Sequence, residues 1–254
     1  MILTWKQVSY WKNSITIFNH SIRVTDNKYP GFALVYNNLG LSQLANNNND
    51  DAIFNFKRAI MLNPKFPAAY SNLGNVMVSE GMYDEAIFLY ITSIKIKPDY
   101  ADAYNNLGNA LHAKGKYEQA ILVFNNAIKI KSDFYQAYNN LGNALLAERM
   151  YEEAISMYKF SIKLNPDYSE AHYNLGNALS AITMNVEAVS HYKAAIKINP
   201  EHALAYNNLG VSLLEQNMDE EAINYFQAAT RIRPGFLEAQ KNLEIVLFRL
   251  KHLK

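Results

Sequence analysis

The chain has no cysteine, and in 254 residues it has only two tryptophans, seven prolines and ten glycines. The missing cysteines exclude disulfides, thiolate metal sites and cysteine nucleophiles. They leave the compartment open, because a cysteine-free chain suits cytoplasm and periplasm equally. Formal net charge is +1. That balance provides no basic field of the kind nucleic-acid binders carry, so nucleic acid is not an expected partner. No apolar run approaches the roughly 18 residues of a membrane span. The opening Met1-Ile2-Leu3-Thr4-Trp5-Lys6 has no long apolar stretch behind it and does not read as a secretory signal. The six histidines, His20, His112, His172, His191, His202 and His252, lack the His-x-x-x-His spacing of a metal helix and are read as packed or solvent-facing. No metal or cofactor is expected.

What is abundant is repetition. Glycine recurs at Gly40, Gly74, Gly108, Gly142, Gly176 and Gly210, always 34 residues apart. Alanine keeps the same interval at Ala52, Ala86, Ala120, Ala154, Ala188 and Ala222, and aromatics do so at Phe56, Tyr90, Phe124, Tyr158, Tyr192 and Phe226. A fixed period of this size means stacked supersecondary units rather than one closed globule.

Residues 101–134 serve as the type unit. Ala103, Tyr104, Leu107, Gly108, Ala110 and Leu111 fall three or four apart, one apolar stripe of an amphipathic helix. Lys114-Gly115-Lys116 supplies a turn, with Gly115 suited to the left-handed C-cap. Tyr117, Ala120, Ile121, Phe124, Ala127, Ile128 and Ile130 then resume helical spacing. In other units Pro64, Pro98, Pro166, Pro200 and Pro234 stop the second helix; Ser132 replaces the proline here, so this helix is expected to run slightly longer. The glycine costs about 1 kcal/mol of helix propensity relative to alanine. Its recurrence therefore argues for close helix approach, with Gly108 against Ala120 as the expected contact. Leu-Gly-Asn inside a helix has no preceding strand and is not a phosphate loop.

Acidic pairs such as Asp84-Glu85, Glu152-Glu153 and Glu220-Glu221 stand where second helices begin. Basic residues (Lys95, Lys97, Lys129, Lys131, Lys163, Lys197, Arg231 and Arg233) stand where they end. Both placements complement the helix macrodipole, a reading preferred to a carboxylate active site or a phosphate stripe. The chain is not expected to be an enzyme.

The order Tyr-x-x-Leu-Gly, Gly-x-Tyr-x-x-Ala, then an aromatic, Ala and Pro resembles the tetratricopeptide repeat. Tyr-Asn-Asn-Leu-Gly-Asn-Ala-Leu is most similar to the superhelical repeats of O-linked N-acetylglucosamine transferases and their bacterial relatives. The resemblance implies an all-α, right-handed superhelix, an α–α solenoid of antiparallel helix pairs. Residues 1–32 read as a half repeat and linker, with Trp11, Ser14, Phe18, Ser21 and Ile22 on the second-helix pattern. They also resemble the segment after the last membrane helix of bacterial glycosyltransferases with C-terminal repeats. Full repeats follow at 33–66, 67–100, 101–134, 135–168, 169–202 and 203–236. A capping helix spans 237–254, where Glu244 replaces the glycine; Val246, Leu247 and Leu250 should face the array, with Phe248 and Leu253 partly exposed. In the turns, asparagine replaces glycine in the first repeat, and Arg149 and Thr183 do so later, Thr183 with expected strain or a shifted turn.

Asparagine precedes every Leu-Gly or its equivalent: Asn38, Asn72, Asn106, Asn140, Asn174, Asn208 and Asn242. A second row, Asn75, Asn109, Asn143 and Asn177, lies three residues on, and Asn105 and Asn139 flank the first, with Asn37 and Asn207. Asparagine is a mediocre helix residue, so its repetition asks for a reason. The resemblance implies that first helices line the concave face and that these amides form a ladder holding an extended polypeptide by its backbone. An amide both donates and accepts, as a peptide backbone does. The competing reading has the asparagines bonding one another and only stabilising the superhelix. The groove should be polar at its centre (Asp102, His112, Gln136, Glu170, Ser180) and apolar at its ends (Leu34, Leu41, Leu44; Leu204, Val211, Leu214). Lys241 is nearly its only cation, which disfavours capture of a C-terminal carboxylate.

The expected function is a protein-interaction scaffold for an extended protein or peptide segment. The alternative is the substrate-recruiting or regulatory portion of a membrane glycosyltransferase whose catalytic domain lies outside these residues. Self-association through the N-terminal half repeat or the C-terminal helix is a further expectation.

Overall fold

A computed structural model describes residues 16–18 and 31–252. Apart from a helical stretch at 16–18, the half repeat expected at the N-terminus and Leu253 lie outside the described residues. Every regular element among the described residues is a helix. In order these are α1 (Phe32–Leu44), α2 (Asn49–Leu62), α3 (Pro67–Ser79), α4 (Tyr83–Ile96), α5 (Ala101–Ala113), α6 (Tyr117–Ile130), α7 (Tyr135–Ala147), α8 (Tyr151–Leu164), α9 (Ser169–Ala181), α10 (Asn185–Ile198), α11 (Ala203–Leu214), α12 (Asp219–Ile232) and α13 (Leu237–His252). The chain divides into two units, with α1–α6 in the first and α7–α13 in the second.

Within each unit, odd-numbered and even-numbered helices alternate as first and second members of packed pairs. First helices also touch the first helices of neighbouring pairs, α1 to α3 to α5 and α7 to α9 to α11 to α13. Second helices make no comparable contact with one another among the described residues. The first helices therefore form the tighter, inner row of each unit. This is an α–α solenoid.

Sequence explains the turns. Lys116 N–H reaches Leu111 C=O at 2.9 Å and Gly115 N–H reaches His112 C=O at 2.9 Å, with Gly115 at φ 71°. That is the double hydrogen bond of a Schellman cap. The same two bonds close the turn at Thr183, through Met184 to Leu179 and Thr183 to Ser180, both 2.9 Å. Thr183 pays for this with φ 63°, a left-handed conformation for a β-branched residue. The turn is thus strained rather than shifted. Asn47 (φ 58°), Arg149 (φ 60°) and Asn217 (φ 59°) take the same conformation.

Second helices end two residues before proline, because the residue preceding proline is driven to extended backbone. Asn165, for example, adopts φ −139°, ψ 93° before Pro166. The extension expected at Ser132 does not occur. α6 ends at Ile130, in register with the others, and Lys131 Nζ then sits 4.8 Å from the Phe134 ring centre. Lys97 over Tyr100 and Arg233 over Phe236 repeat that contact at 5.3 Å each. These cations cover the aromatic that opens the next pair.

The core is a column of small residues and rings. Ala103, Ala110, Ala120, Phe124 and Ala127 are fully buried in the type unit. The glycine contact differs from expectation. A Cβ on Gly108 would lie 2.5 Å from Phe124 Cε1, so the ring of the second helix, and not Ala120, occupies the glycine notch. Every repeat does the same, with Phe56, Tyr90, Tyr158, Tyr192 and Phe226 against Gly40, Gly74, Gly142, Gly176 and Gly210. In α13, Val246 is buried but Leu247 is 47% exposed, contrary to expectation. The equivalent Leu111, Leu145, Leu179 and Leu213 are buried in helices that have a second-helix partner, which α13 lacks among the described residues.

Candidate functional site

The aromatic that fills each glycine notch passes between its two helices and ends near the surface of the first. Where it is tyrosine, its hydroxyl meets an asparagine of the second row. Tyr90 donates to Asn75 Oδ1 at 2.7 Å, Tyr158 to Asn143 at 2.8 Å and Tyr192 to Asn177 at 2.9 Å. Burial pushes the three phenols well above the ordinary tyrosine value, so they remain protonated donors. Where the ring is Phe56 or Phe226, the partner position is apolar, Leu41 or Val211. The sequence carries the signal for this pairing as an asparagine and a tyrosine 15 residues apart. Asn109 breaks the rule. It stands 15 residues before Phe124, whose ring carries no hydroxyl, it is exposed, and no donor or acceptor among the described residues reaches its amide.

The first row is half-buried, and its amides point along the array. Asn72 Nδ2 donates to Asn37 Oδ1 at 2.9 Å, Asn174 to Asn139 at 3.0 Å and Asn242 to Asn207 at 2.9 Å. Where serine or tyrosine stands at the receiving position (Ser71, Tyr173), the bond shifts to the second row. Asn106 then donates to Asn75 Oδ1 at 3.0 Å and Asn208 to Asn177 Oδ1 at 2.9 Å, the latter also reaching Tyr173 Oη at 3.3 Å. Each bond links one first helix to the preceding one. Asn38, Asn140 and Asn208 accept, through Oδ1, from the Nδ2 of Asn37, Asn139 and Asn207 at 3.4, 3.5 and 3.2 Å.

Asn105 and Asn139 were expected on the groove. Both are buried, at 8% and 3% exposure, as are Asn37 and Asn207. Their helical position turns them toward the neighbouring first helix, where Asn37, Asn139 and Asn207 accept the first-row amides. This leaves a defined polar surface. The Nδ2 groups of Asn75, Asn143 and Asn177 carry no hydrogen bond within the described residues, and neither do the Oδ1 atoms of Asn72, Asn106 and Asn174. Asn75, Asn143 and Asn177 thus present donors and Asn72, Asn106 and Asn174 present acceptors, while the oxygens of Asn38, Asn140 and Asn208 already accept from their neighbours.

Around this surface Asp102, Glu170 and Lys241 are exposed, and Gln136 is half-buried. His112 packs edge-on to Tyr117, and Ser180 donates to Asn185 Oδ1 at 3.2 Å. Leu34, Leu41 and Leu204 are exposed at 57%, 44% and 39%, while Leu44, Val211 and Leu214 are half-buried. Behind it, His172 and His191 approach through their Nδ1 atoms at 3.2 Å, and His172 Nε2 donates to Pro166 C=O at 3.1 Å. Burial lowers both imidazoles below the ordinary histidine value, as it does His202. The bond needs only one proton between two neutral rings. Among the described residues no group of His, Asp and Glu is placed to hold a metal ion, and no helix is long and apolar enough to cross a membrane.

Tetratricopeptide repeat families match residues 40–81, 74–115, 108–148, 135–168, 169–202 and 187–235. The chain belongs to the tetratricopeptide repeat family. Comparison with curated proteins finds no match. Among solved structures it is similar to the APC/C hetero-tetramer Cut9–Hcn1 (TM-score 0.79, 18% identity), covering 94% of this chain and 47% of that one. The chain thus spans about half the length of that relative. It is similar to YrrB, described as a tetratricopeptide repeat protein with an unusual peptide-binding site (TM-score 0.58, 26% identity), covering 73% of this chain and 96% of that one. PilF of Pseudomonas aeruginosa aligns with a TM-score of 0.73 at 21% identity, covering 82% and 95%. An array of these repeats alone points to a protein-interaction scaffold and indicates no enzyme family.

Proposed function

We propose that the inner face of the first helices binds an extended polypeptide segment through its backbone. The carrying observation is the division of labour within the asparagines. Bonding along the array uses the donors of the first row, taken up by the buried flanking asparagines or by the second row, and the second-row oxygens also accept the tyrosine hydroxyls. The outward residue is a carbonyl oxygen from one row and an NH2 group from the other. An extended backbone offers the complementary N–H and C=O groups in alternation. Asn109 adds an amide with both functions unused on the inner face of the first unit. Each bond contributes about 1 kcal/mol net, so affinity comes from their number and selectivity is broad. The peptide-binding site named for YrrB, at 26% identity, supports the reading.

The test must separate binding from stacking. Asn75→Asp, Asn143→Asp and Asn177→Asp keep the oxygen that accepts the tyrosine hydroxyl and remove the free NH2 donor. With Asn109→Ala added, helical content and unfolding should change little, while binding to an array of overlapping unstructured peptides should fall at least tenfold, about 1.4 kcal/mol. Unchanged peptide binding by the folded variant refutes the proposal.

A further inference from the structure

The outer face of α2, α4 and α6 carries a second, unrelated feature. Phe54, Phe88 and Leu122 occupy the same position in three successive repeats and are 60%, 68% and 68% exposed. At the same position in the other unit stand Ser156, Ser190 and Asn224. The repeat fold therefore does not need a large apolar side chain there, and unit one presents a row of three. Isolated exposed hydrophobics are ordinary; a periodic row continued by Met61 (58%) and Ile91 (38%) is a contiguous patch.

Its borders carry opposite charge. Four residues before each apolar residue, in the first turn, stand exposed Asp50, Asp84 and Glu118, of which Asp84 also pairs with Lys114 of the next helix pair while remaining exposed. Seven residues after, in the last turn, stand exposed Lys95 and Lys129, with Met61 at the third position. Steps of four and seven keep all of these on one helix face. The patch is an apolar row between an acidic rail and a basic rail.

We propose that this face binds a second copy of the chain in a two-fold dimer whose axis runs along the row. Rotation by 180° about that axis maps the row onto itself and reverses every helix. The acidic rail of one copy then lies over the basic rail of the other. Glu118 meets Lys129 and Asp84 meets Lys95, twice over by symmetry, with Phe54, Phe88 and Leu122 each opposite their own mate. A two-fold axis along the helices would instead set like charges against each other. The surface is thus self-complementary in one arrangement, as an isologous interface must be, with an apolar centre and a charged rim.

The experiment is sedimentation of the full chain over a wide concentration range. The wild type should dimerise. Phe54→Ser, Phe88→Ser and Leu122→Ser together, which install the polar character of the other unit at exposed positions, should leave circular dichroism unchanged and weaken the dimer on the order of 100-fold or more. Lys95→Glu with Lys129→Glu should weaken it too, and adding Asp84→Lys and Glu118→Lys should restore it. Because the chain has no cysteine, Leu122→Cys, which the axis sets opposite its own mate, should give an oxidatively cross-linked dimer, and Ser190→Cys, on the other unit, should not. A wild type that stays monomeric throughout, a dimer indifferent to the triple substitution, or cross-linking only from Ser190→Cys overturns the proposal.

Discussion

Replacing Gly108 with alanine sets two physical effects against each other. Helix propensity alone favours alanine at a helix interior by about 1 kcal/mol. The structure opposes it. The new Cβ would meet Phe124 Cε1, Cδ1 and Cζ at 2.5, 2.7 and 2.7 Å. Ordinary carbon contacts begin near 3.5 Å, so the ring must withdraw by roughly 1 Å. Phe124 is completely buried between Ala120 and Ala127, themselves without exposed surface, and a ring cannot fold away as a flexible chain end does. Overpacking of this kind typically costs 1–3 kcal/mol, and the rigid setting places it near the upper end, about 3 kcal/mol. Subtracting the propensity gain leaves a net loss of about 2 kcal/mol. Because stacked repeats need not unfold as one unit, the measurement is native-state hydrogen exchange at α5 amides, supported by urea unfolding. Phe124→Leu in the Gly108→Ala background should recover part of the loss, since it removes the atoms in conflict. Gly108→Ala that equals or exceeds the wild type in α5 protection would refute the notch argument.

Thr183→Gly should stabilise α9–α10 by about 1 kcal/mol, because left-handed backbone costs a side-chain residue 1–2 kcal/mol and glycine returns part of that as unfolded-state entropy; thermal melting reads the shift. Phe124→Tyr should place a hydroxyl at Asn109, as Tyr90, Tyr158 and Tyr192 do at theirs, and raise stability by about 0.5–1 kcal/mol; the gain should vanish with Asn109→Ala. Acid should weaken the unit holding His172, His191 and His202. Burial holds their folded values below the ordinary one, so below about pH 6.5 the unfolded chain binds more protons, and stability present above that pH is lost as pH falls toward the folded values. Asp167, Glu187 and Glu170 counteract this, and Lys159 reinforces it at His191. Thermal melts across that range should show a shallower acid slope for His172→Tyr, which restores the residue found at Tyr104 and Tyr138.

Helix pairs, their order and their turns were legible from residue identity, because a 34-residue period and 3.6-residue periodicity are local properties of a chain. Gly115 between lysines and Pro98 after Lys97 state a turn and a stop without reference to distant residues. Where structure and sequence pattern part, the cause is the same. Ser132 suggested a longer α6, but the stack sets the helix end, with Lys131 drawn over Phe134. Gly108 announced a close approach, yet which atoms filled it depended on how far Phe124 reaches across the pair. Asn105 and Asn106 are adjacent and chemically identical. One turn of 100° buries Asn105 between first helices and leaves Asn106 at the surface with its donor turned to Asn75. Sequence alone determined that this chain is a repeating array of helix pairs, because that information lies in spacing along the chain. Only tertiary structure decided which end of each amide remains for a partner, because a hydrogen bond between repeats is set by side chains 31 or 35 residues apart meeting in space.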